Sequence, residues 1–533
     1  MSTRLAIFLA LLTVLALCQA QAGETAAVFS AAADAGLARL DAKSHLLLDD
    51  QNRPEVARLT PAWALSCLIA GRHQQQATQA LAAVAAQVQT EGEAAGLVPW
   101  FAGGRGSLGA TEVAAPVLAA ALLKHSDELG SVAPALKKAL TAMGKSLHAA
   151  TPADADVRTL AMAGACAGLG RALGESALTA RANKLLVGWL KNVQAQGFQD
   201  AHGPTTEAYR LADLAWLRLF LDEPPPQLAQ AWGLCWADTL QRLRQPGPSL
   251  AGAQLFSSPG DAATASGPLG ALLSAAFGLK APASSLPDVY FALPFRTPLA
   301  DAPPALELPD TFTCSYCWGA QQRYRETVFV APDLSLATMT GRINSTSAPL
   351  MLLLADRGSA PACYLRPSAS CHVASLQRGP VALVNFDFDR VGWKPRTQLW
   401  AEMVFGPRPT IGQVAVLRRP WQGQPVAVDR LWPVAVETGE HYIGIIPLWA
   451  GSAEAQEATE RVMPGVLQWS STEDDALLTL RLYARQATYE LRRPEDNYET
   501  GCLVVVRRTS EMSFADFCNE LRHVRYKKTF EKR

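Results

Sequence analysis

The chain changes its hydrophobic period once, close to residue 287. Up to about Leu286 it is rich in Ala, Leu and Gln, and apolar residues recur at helical spacing. Beyond Pro287 it is rich in Val, Thr, Tyr, Arg and Trp, in short runs that Gly and Pro interrupt. Helical spacing predicts helices, and short alternating runs predict strands. The sequence therefore predicts an α+β protein with a helical domain followed by a sheet domain.

The predicted domain boundaries follow from that change. A chain of 533 residues is too long for one ordinary core. Prolines between Leu286 and Asp310 forbid a continuous helix or central strand, so they predict a linker. The predicted segments are, in order, a signal peptide (1–22), a helical domain (23–286), a Pro-rich linker (287–310), a sheet domain (311–512), and a C-terminal helix with a basic tail (513–533).

The N-terminal residues have the pattern of a secretory signal. Arg4 precedes an apolar run from Leu5 to Leu17, and Ala20-Gln21-Ala22 supplies small residues for cleavage. Cys18 leaves lipid anchoring open as an alternative to simple export. No other stretch is apolar for long enough to span a bilayer. We therefore expect an exported protein, periplasmic or extracellular, without stable membrane insertion.

The helical domain has a loose internal repeat. Two predicted hairpins close on similar phrases, Gln87 to Gly92 and Gln194 to Phe198, and each phrase ends a helix on a glycine. Successive antiparallel hairpins can curl into a toroid with an inner and an outer ring of helices. In the second domain, many short strands separated by turn residues indicate antiparallel pairing. The predicted fold is an N-terminal α/α toroid followed by a large antiparallel β-sandwich.

Charge and motifs argue against several classes of function. Lys plus Arg and Asp plus Glu both number 48, so the net charge of zero gives no electrostatic footprint for nucleic acid. The sequence lacks a Gly-rich phosphate loop, a Gly-x-Ser-x-Gly elbow and a His-Glu-x-x-His helix. Nucleotide enzymes, serine hydrolases and zinc proteases are therefore disfavoured, and we expect no cofactor.

Four cysteines cluster in the second half of the chain. Cys314 and Cys317 have the spacing of half a zinc site, which Cys363 and Cys371 could complete. The second pair is spaced too widely for the usual zinc pattern. In an exported chain, one or two disulfides among the four are the favoured interpretation, and we expect no metal site.

The stretch from Lys191 to Leu221 is the best candidate for a functional site. A helix ends near Gly197, a polar loop follows, and a second helix begins near Thr206. Apolar residues then recur at helical spacing, so one face of the second helix belongs to the core. Ionisable side chains at a helix start can reach a cleft. Those in this stretch are His202, Glu207, Tyr209 and Arg210.

An exported α-toroid followed by an antiparallel β-sandwich resembles the polysaccharide lyases of the heparinase II/III and chondroitin or alginate lyase type. The resemblance covers nearly all the mature chain as architecture, but only short phrases as sequence. Those phrases are Thr60 to Trp63, Gly96 to Trp100, Gly197 to Thr205, and Tyr324 to Thr327. The resemblance implies β-elimination on a uronate-containing glycan, with an acidic polysaccharide or other glycan as the partner.

The resemblance also implies roles for single residues. Such lyases neutralise a uronate carboxylate and use Tyr or His to take the C5 proton, because that proton is very weakly acidic beside an ionised carboxylate. His202 and Tyr209 are the candidates for base or acid, and Arg210 is the candidate neutraliser. The candidates for substrate binding are Trp63 and Trp100, which could stack on sugar rings, Arg158, which could supply a second cation, and Glu207.

Other interpretations stay open at this stage. Tyr209 and the two tryptophans also suit structural roles. The chain shows no Asn-His-Tyr-Arg set at matched positions, so the second hypothesis is a non-catalytic glycan-binding or structural envelope protein of the same fold. A glycoside hydrolase would need two carboxylates across a cleft. Acidic residues near the predicted loop face are Glu91, Glu93, Glu112, Asp200 and Glu207.

Overall fold

The chain divides into two compact units. The helical unit comprises Met1–Asp200, Pro204–Gln241 and Thr264–Glu307, and the sheet unit comprises Ala201–Gly203, Arg242–Ala263 and Leu308–Arg533. The predicted signal peptide lies outside the residues that the structure describes. The structure, a computed structural model, describes residues 27–151, 156–198, 203–244, 249–250, 267–277, 288–295, 311–318, 323–357, 361–388, 399–429, 431–450, 465–471, 473, 475–485 and 498–524.

The first half of the chain forms helices, as its hydrophobic period predicts. Their bounds are residues 27–37 (α1), Leu59–Ala70 (α2), Gln74–Ala86 (α3), Leu108–Lys124 (α4), Ser126–Leu129 (α5), Ala133–Ala149 (α6), Asp156–Leu173 (α7), Ser176–Gln196 (α8), Pro204–Phe220 (α9), Pro226–Arg242 (α10), Pro268–Phe277 (α11) and Val289–Ala292 (α12). Two short strand pairs lie among them, Leu47–Leu48 (β1) with Pro54–Glu55 (β2), and Val98–Pro99 (β3) with Gly106–Ser107 (β4).

Burial separates inner from outer helices in the helical unit. Almost every residue of α2 and α4 is buried, whereas α3, α6 and α8 bury one apolar face and expose the other. The inner helices contact one another in a closed series, α2 with α4, α4 with α7, α7 with α9, α9 with α11, α11 with α12, and α12 with α2. The predicted α/α toroid is confirmed.

The helix α12 lies inside the segment that the sequence assigns to a linker. Residues 288–295 are helical, and Val289, Tyr290, Phe291 and Leu293 are buried in the helical unit. Because α12 contacts both α2 and α9, this part of the Pro-rich segment completes the inner ring. Residues 296–310 lie outside the described part of the chain, so the exact boundary between domains stays a prediction.

The second half forms antiparallel strands. Their bounds are Leu243–Arg244 (β5), Ser249–Leu250 (β6), Phe312–Trp318 (β7), Tyr324–Val330 (β8), Leu334–Ile343 (β9), Leu350–Leu354 (β10), Pro361–Pro367 (β11), Cys371–Arg378 (β12), Val381–Phe388 (β13), Leu399–Pro407 (β14), Val414–Val416 (β15), Arg419–Pro420 (β16), Val426–Ala427 (β17), Val434–Thr438 (β18), His441–Ala450 (β19), Gly465–Trp469 (β20), Leu477–Arg485 (β21) and Tyr498–Arg508 (β22). Phe514–His523 forms a final helix, α13.

The strand β9 belongs to both layers of the sheet unit. Its residues Leu334 to Thr338 pair with β10, and Gly341 to Ile343 pair with β12. The connected order is β16-β15-β18-β19-β22-β13-β12-β9-β10-β11-β14-β21-β20-β17, with β8 also on β9 and β7 on β8. Side chains from both halves of this order share one core, so the predicted antiparallel β-sandwich is confirmed.

The helix α13 covers the outer face of one layer. Phe517 and Leu521 pack with Tyr442 and Val505 in a second apolar cluster. Gly444 permits this close approach, because a Cβ there would lie 2.4 Å from the Leu521 side chain. Ser513 caps the helix by accepting the Asp516 N–H over 3.2 Å.

The described part of the chain does not contain the disulfides that the sequence favours. No disulfide joins any of the nine cysteines that the structure describes. Cys363 and Cys371 belong to the sandwich core, where they pack as small apolar side chains, and Cys317 is exposed.

No described helix has the length and hydropathy needed to cross a bilayer.

Candidate active site

The carboxylate of Glu55 organises the start of α2. Its oxygens accept the backbone N–H groups of Arg58 over 2.8 Å, Leu59 over 2.5 Å and Thr60 over 3.2 Å. Donors at the first turn of a helix have no partner inside the helix, so the carboxylate satisfies them. Burial raises the pKa of Glu55, although these hydrogen bonds oppose the rise. The backbone that carries Arg58 is consequently well fixed.

Arg58 connects the start of α2 to Tyr209 on α9. Its Nη1 donates a hydrogen bond to the Tyr209 hydroxyl over 3.2 Å. Burial alone lowers the pKa of Arg58, but its interactions with Tyr209 and Glu55 outweigh burial and raise the pKa. Both side chains are half-buried. The contact therefore places a guanidinium directly beside a phenol oxygen.

The ring of Tyr209 is positioned by α12. The centroid of the Phe291 ring lies 4.8 Å away in an edge-on arrangement, and that of Tyr290 lies 6.3 Å away. Burial, and then the neighbouring Asp213, raise the pKa of Tyr290 well above its ordinary value. The segment that completes the inner ring therefore also holds the candidate base.

Two buried carboxylates lie in the same part of the helical unit. Glu112 and Asp213 are 1% and 2% exposed. Arg158 donates from Nε to Glu112 Oε2 over 2.5 Å, whereas Glu112 Oε1 and Asp213 Oδ2 have no hydrogen-bond partner among the described residues. Burial, and then the charge of Glu112, raise the pKa of Asp213 well above its ordinary value. Incompletely paired carboxylates of this kind often accompany functional sites.

The sequence predicts that Arg210 and Glu207 can reach a cleft, but both side chains are buried. They form an ion pair over 2.7 Å in which neither side chain is exposed. The guanidinium of Arg210 also lies 4.2 Å from the centroid of the Phe198 ring. The two residues are one helical turn apart on the core side of α9. Burial gives a glycan no exposed surface on either side chain, and the roles of Arg210 as carboxylate neutraliser and Glu207 as a substrate contact stay predictions.

The two tryptophans, Trp63 and Trp100, differ in how much of each side chain is exposed. Trp63 is completely buried and donates from Nε1 to the Ala33 carbonyl over 2.9 Å, so its ring offers no face to a sugar. Trp100 is 39% exposed, and its carbonyl accepts the Val56 N–H over 2.9 Å. Trp63 is thus a core residue, contrary to the prediction, and Trp100 lies beside the segment that carries Glu55 and Arg58.

The structure brings part of the predicted site together. Tyr209 contacts Arg58, the Trp100 carbonyl contacts Val56 two residues before Arg58, and Arg158 is 39% exposed beside Glu112. His202 and Asp200 lie outside the described residues. Sequence reasoning missed Glu55, Arg58 and Asp213. A carboxylate a few residues before a helix start was the available signal for Glu55, and Asp213 lies one helical turn beyond Tyr209.

Comparison with known proteins supports the fold alone. No family model matches the sequence, and no curated protein matches it detectably. The chain superposes on the chondroitin AC lyase of Streptomyces coelicolor A3, solved in complex with chondroitin sulphate, with a TM-score of 0.51 and 12% identity over 92% of this chain and 80% of that one. A looser superposition, on the heparan sulfate lyase HepC of Pedobacter heparinus, has a TM-score of 0.33 and 10% identity over 84% and 76%. The chain therefore shares the fold of that chondroitin AC lyase.

Proposed function

We propose that this protein is an exported polysaccharide lyase that cleaves an acidic glycan by β-elimination. The observation that carries the proposal is the hydrogen bond from Arg58 to the hydroxyl of the half-buried Tyr209. A phenol beside a fixed cation is suited to removing a weakly acidic proton. The lyase fold supports the choice of substrate class, because the chondroitin AC lyase was solved with a sulfated glycan.

In the proposed reaction Tyr209 acts as the tyrosinate. Its oxygen takes the C5 proton of a uronate, the electrons of that C–H bond form the C4=C5 double bond, and the bond from C4 to the glycosidic oxygen breaks. The phenol then returns the proton to the departing oxygen. His202 stays the second candidate for acid or base.

The neutraliser is reassigned from Arg210 to Arg158. The uronate carboxylate gains negative charge as its α-proton leaves, so a nearby cation stabilises the transition state. Arg158 is the better candidate, because its side chain is 39% exposed whereas that of Arg210 is completely buried. Trp100 is the remaining candidate for stacking on a sugar ring.

The proposal is tested by ultraviolet absorbance of the unsaturated uronate product. Purified protein is assayed against alginate, hyaluronan, chondroitin, heparan, pectin and glucuronan. Tyr209→Phe should lower turnover of the responding glycan by about 10²–10⁴-fold, because it removes the acid–base group. His202→Ala tests the second candidate in the same assay.

The matched control is Tyr290→Phe. This tyrosine packs beside Tyr209 but is 1% exposed, so its hydroxyl cannot touch a polysaccharide. Its variant should retain turnover within about tenfold, with a melting temperature near that of Tyr209→Phe. Equal activity in the Tyr209→Phe variant and the parent protein would refute the base assignment. Folded protein that binds a glycan of the panel without turning any over would favour the non-catalytic hypothesis instead.

A further inference from the structure

A cavity of about 470 Å³ opens in the sheet unit. It lies between the first half of α13 and the hairpin formed by β15 and β16, and all its lining residues belong to the sheet unit. Its volume is within the range of about 300–1,000 Å³ that is usual for small-ligand sites. The side chains that matter are Gln413, Arg418, Trp421, Phe514, Cys518 and Asn519.

The hairpin at the cavity has an unusual turn. Val416 pairs with Arg419, so Leu417 and Arg418 form a two-residue loop, and their φ angles are +49° and +68°. Such turns normally contain Asn-Gly or Asp-Gly, because other residues are strained at positive φ. Strained backbone is concentrated at ligand sites. Here the turn carries Arg418, which is exposed and has no ion pair within the described part of the chain.

Trp421 forms the aromatic wall of the cavity, and a hydrogen bond and a ring contact hold it in place. Trp421 donates from Nε1 to the Gln424 carbonyl over 2.6 Å, and its ring centroid lies 5.7 Å from that of Trp469. The guanidinium of Arg408 lies 4.8 Å from the Trp469 ring. Trp421 is half-buried, so part of the ring is covered while the rest lines the cavity. A fixed aromatic surface loses little entropy when a ligand stacks on it.

Polar groups surround this aromatic wall. Gln413 and Asn519 supply amide donors and acceptors from opposite sides of the cavity, one from β15 and its preceding turn and the other from α13. Glu437 Oε2 accepts the Gln413 backbone N–H over 3.0 Å, which fixes the backbone at this edge of the cavity.

We infer that this cavity is a non-catalytic glycan site that holds one acidic sugar residue. Trp421 stacks on the sugar ring, Gln413 and Asn519 bind hydroxyls, and Arg418 pairs with the carboxylate or sulfate group. The inference deepens the proposed function and rests on it for the class of ligand. A second point of attachment would raise the apparent affinity of the protein for a long chain without adding a reaction.

The test is calorimetric titration of the full chain that carries Tyr209→Phe, so that the ligand is not consumed. The probes are hexasaccharides of hyaluronan and of chondroitin sulfate, with uncharged maltohexaose as the comparison. We expect two binding sites for an acidic hexasaccharide. Arg418→Gln should weaken one of them by about fivefold, because an exposed charge pair is lost.

Arg419→Gln is the matched control. This residue is the next one in the hairpin, is also exposed and does not line the cavity. It should leave both affinities unchanged. Equal weakening by the two substitutions would indicate general charge attraction and would overturn the inference, as would a single site in every titration. Binding of maltohexaose with the same affinity would overturn the acidic assignment.

The hexasaccharides separate the two anionic groups. Hyaluronan carries only carboxylates, so its binding at the Arg418-dependent site identifies the carboxylate as the partner, whereas binding of chondroitin sulfate alone identifies the sulfate. Different experimental results would refute the inference and the proposed function. Absence of turnover with an Arg418-dependent site refutes only the lyase proposal, and turnover without such a site refutes only this inference.

Discussion

Two carboxylates of the sheet unit, Glu402 and Asp333, are paired more fully than Glu112 and Asp213 of the helical unit. In the sheet unit, Glu402 is 2% exposed and accepts two hydrogen bonds from Arg366 and two from Arg481. Asp333 likewise joins Arg508 and His441, and the Arg508 hydrogen bonds lower its pKa. In the helical unit, Glu112 has one cation and Asp213 has none among the described residues.

The degree of pairing distinguishes a carboxylate that stabilises the fold from one that can interact with a ligand. A carboxylate held by two cations is satisfied in the folded protein and has little left to offer a ligand. A carboxylate with a free buried oxygen costs stability, which a protein tolerates more readily at a site of function. The incompletely paired carboxylates lie one helical turn beyond Tyr209 and beside the exposed Arg158. Glu112 and Asp213 are therefore better suited to take part in chemistry than Glu402 and Asp333.

The largest effect should come from Arg58→Met. The substitution keeps most of the side-chain length and removes the cation beside Tyr209, so turnover should fall by about 10²-fold or more. The control is Arg53→Met, since Arg53 is exposed and lies over the Phe101 ring without contacting Tyr209. The assay is the release of unsaturated uronate. Unchanged turnover would show that the Arg58 to Tyr209 contact is structural. The helical unit would then lose its candidate base.

A smaller but substantial effect is expected for Glu402→Ala. Removing the shared carboxylate leaves Arg366 on β11 and Arg481 on β21 without their common partner on β14, the strand between them, which should lower the free energy of unfolding by about 2–3 kcal/mol. Denaturant titration measures this loss, and Glu473→Ala, at an exposed position, should change little. If Glu402→Ala instead abolished turnover at full stability, the sheet unit would also carry chemistry.

The smallest effect should be a gain of stability in Asp213→Asn. Because the folded-state pKa of Asp213 is raised, the parent protein loses stability as pH rises from the ordinary aspartate pKa towards the folded value. Asparagine removes that loss, so the variant should be more stable by about 1 kcal/mol at pH 8 and show little gain near pH 4. Thermal unfolding at both pH values measures it, with Asp127→Asn at an exposed position as the control. Destabilisation at pH 8 would mean that the carboxylate is ionised and paired.

Sequence periodicity predicted most of the helices and the change to strands. It failed where flanking signals were misleading. No strand was assigned to Phe312–Trp318, whose cysteines suggested a metal or disulfide pattern, or to Pro361–Pro367, which has prolines at both ends. A strand tolerates proline at its ends because those positions need not donate to a neighbour. Pro287 precedes α12 and Pro294 follows it, so neither proline removes a donor from inside that helix.

The sequence by itself determined the two architectures, because hydrophobic spacing and glycine stops act within a few residues of one another. Only the tertiary structure decided which side chains meet. Arg58 and Tyr209 are 151 residues apart, and nothing local to either residue indicates that the inner ring brings them within 3.2 Å. It also decided that Arg210 faces the core and Arg158 faces solvent, because the exposure of a side chain depends on which neighbouring helices its own helix packs against.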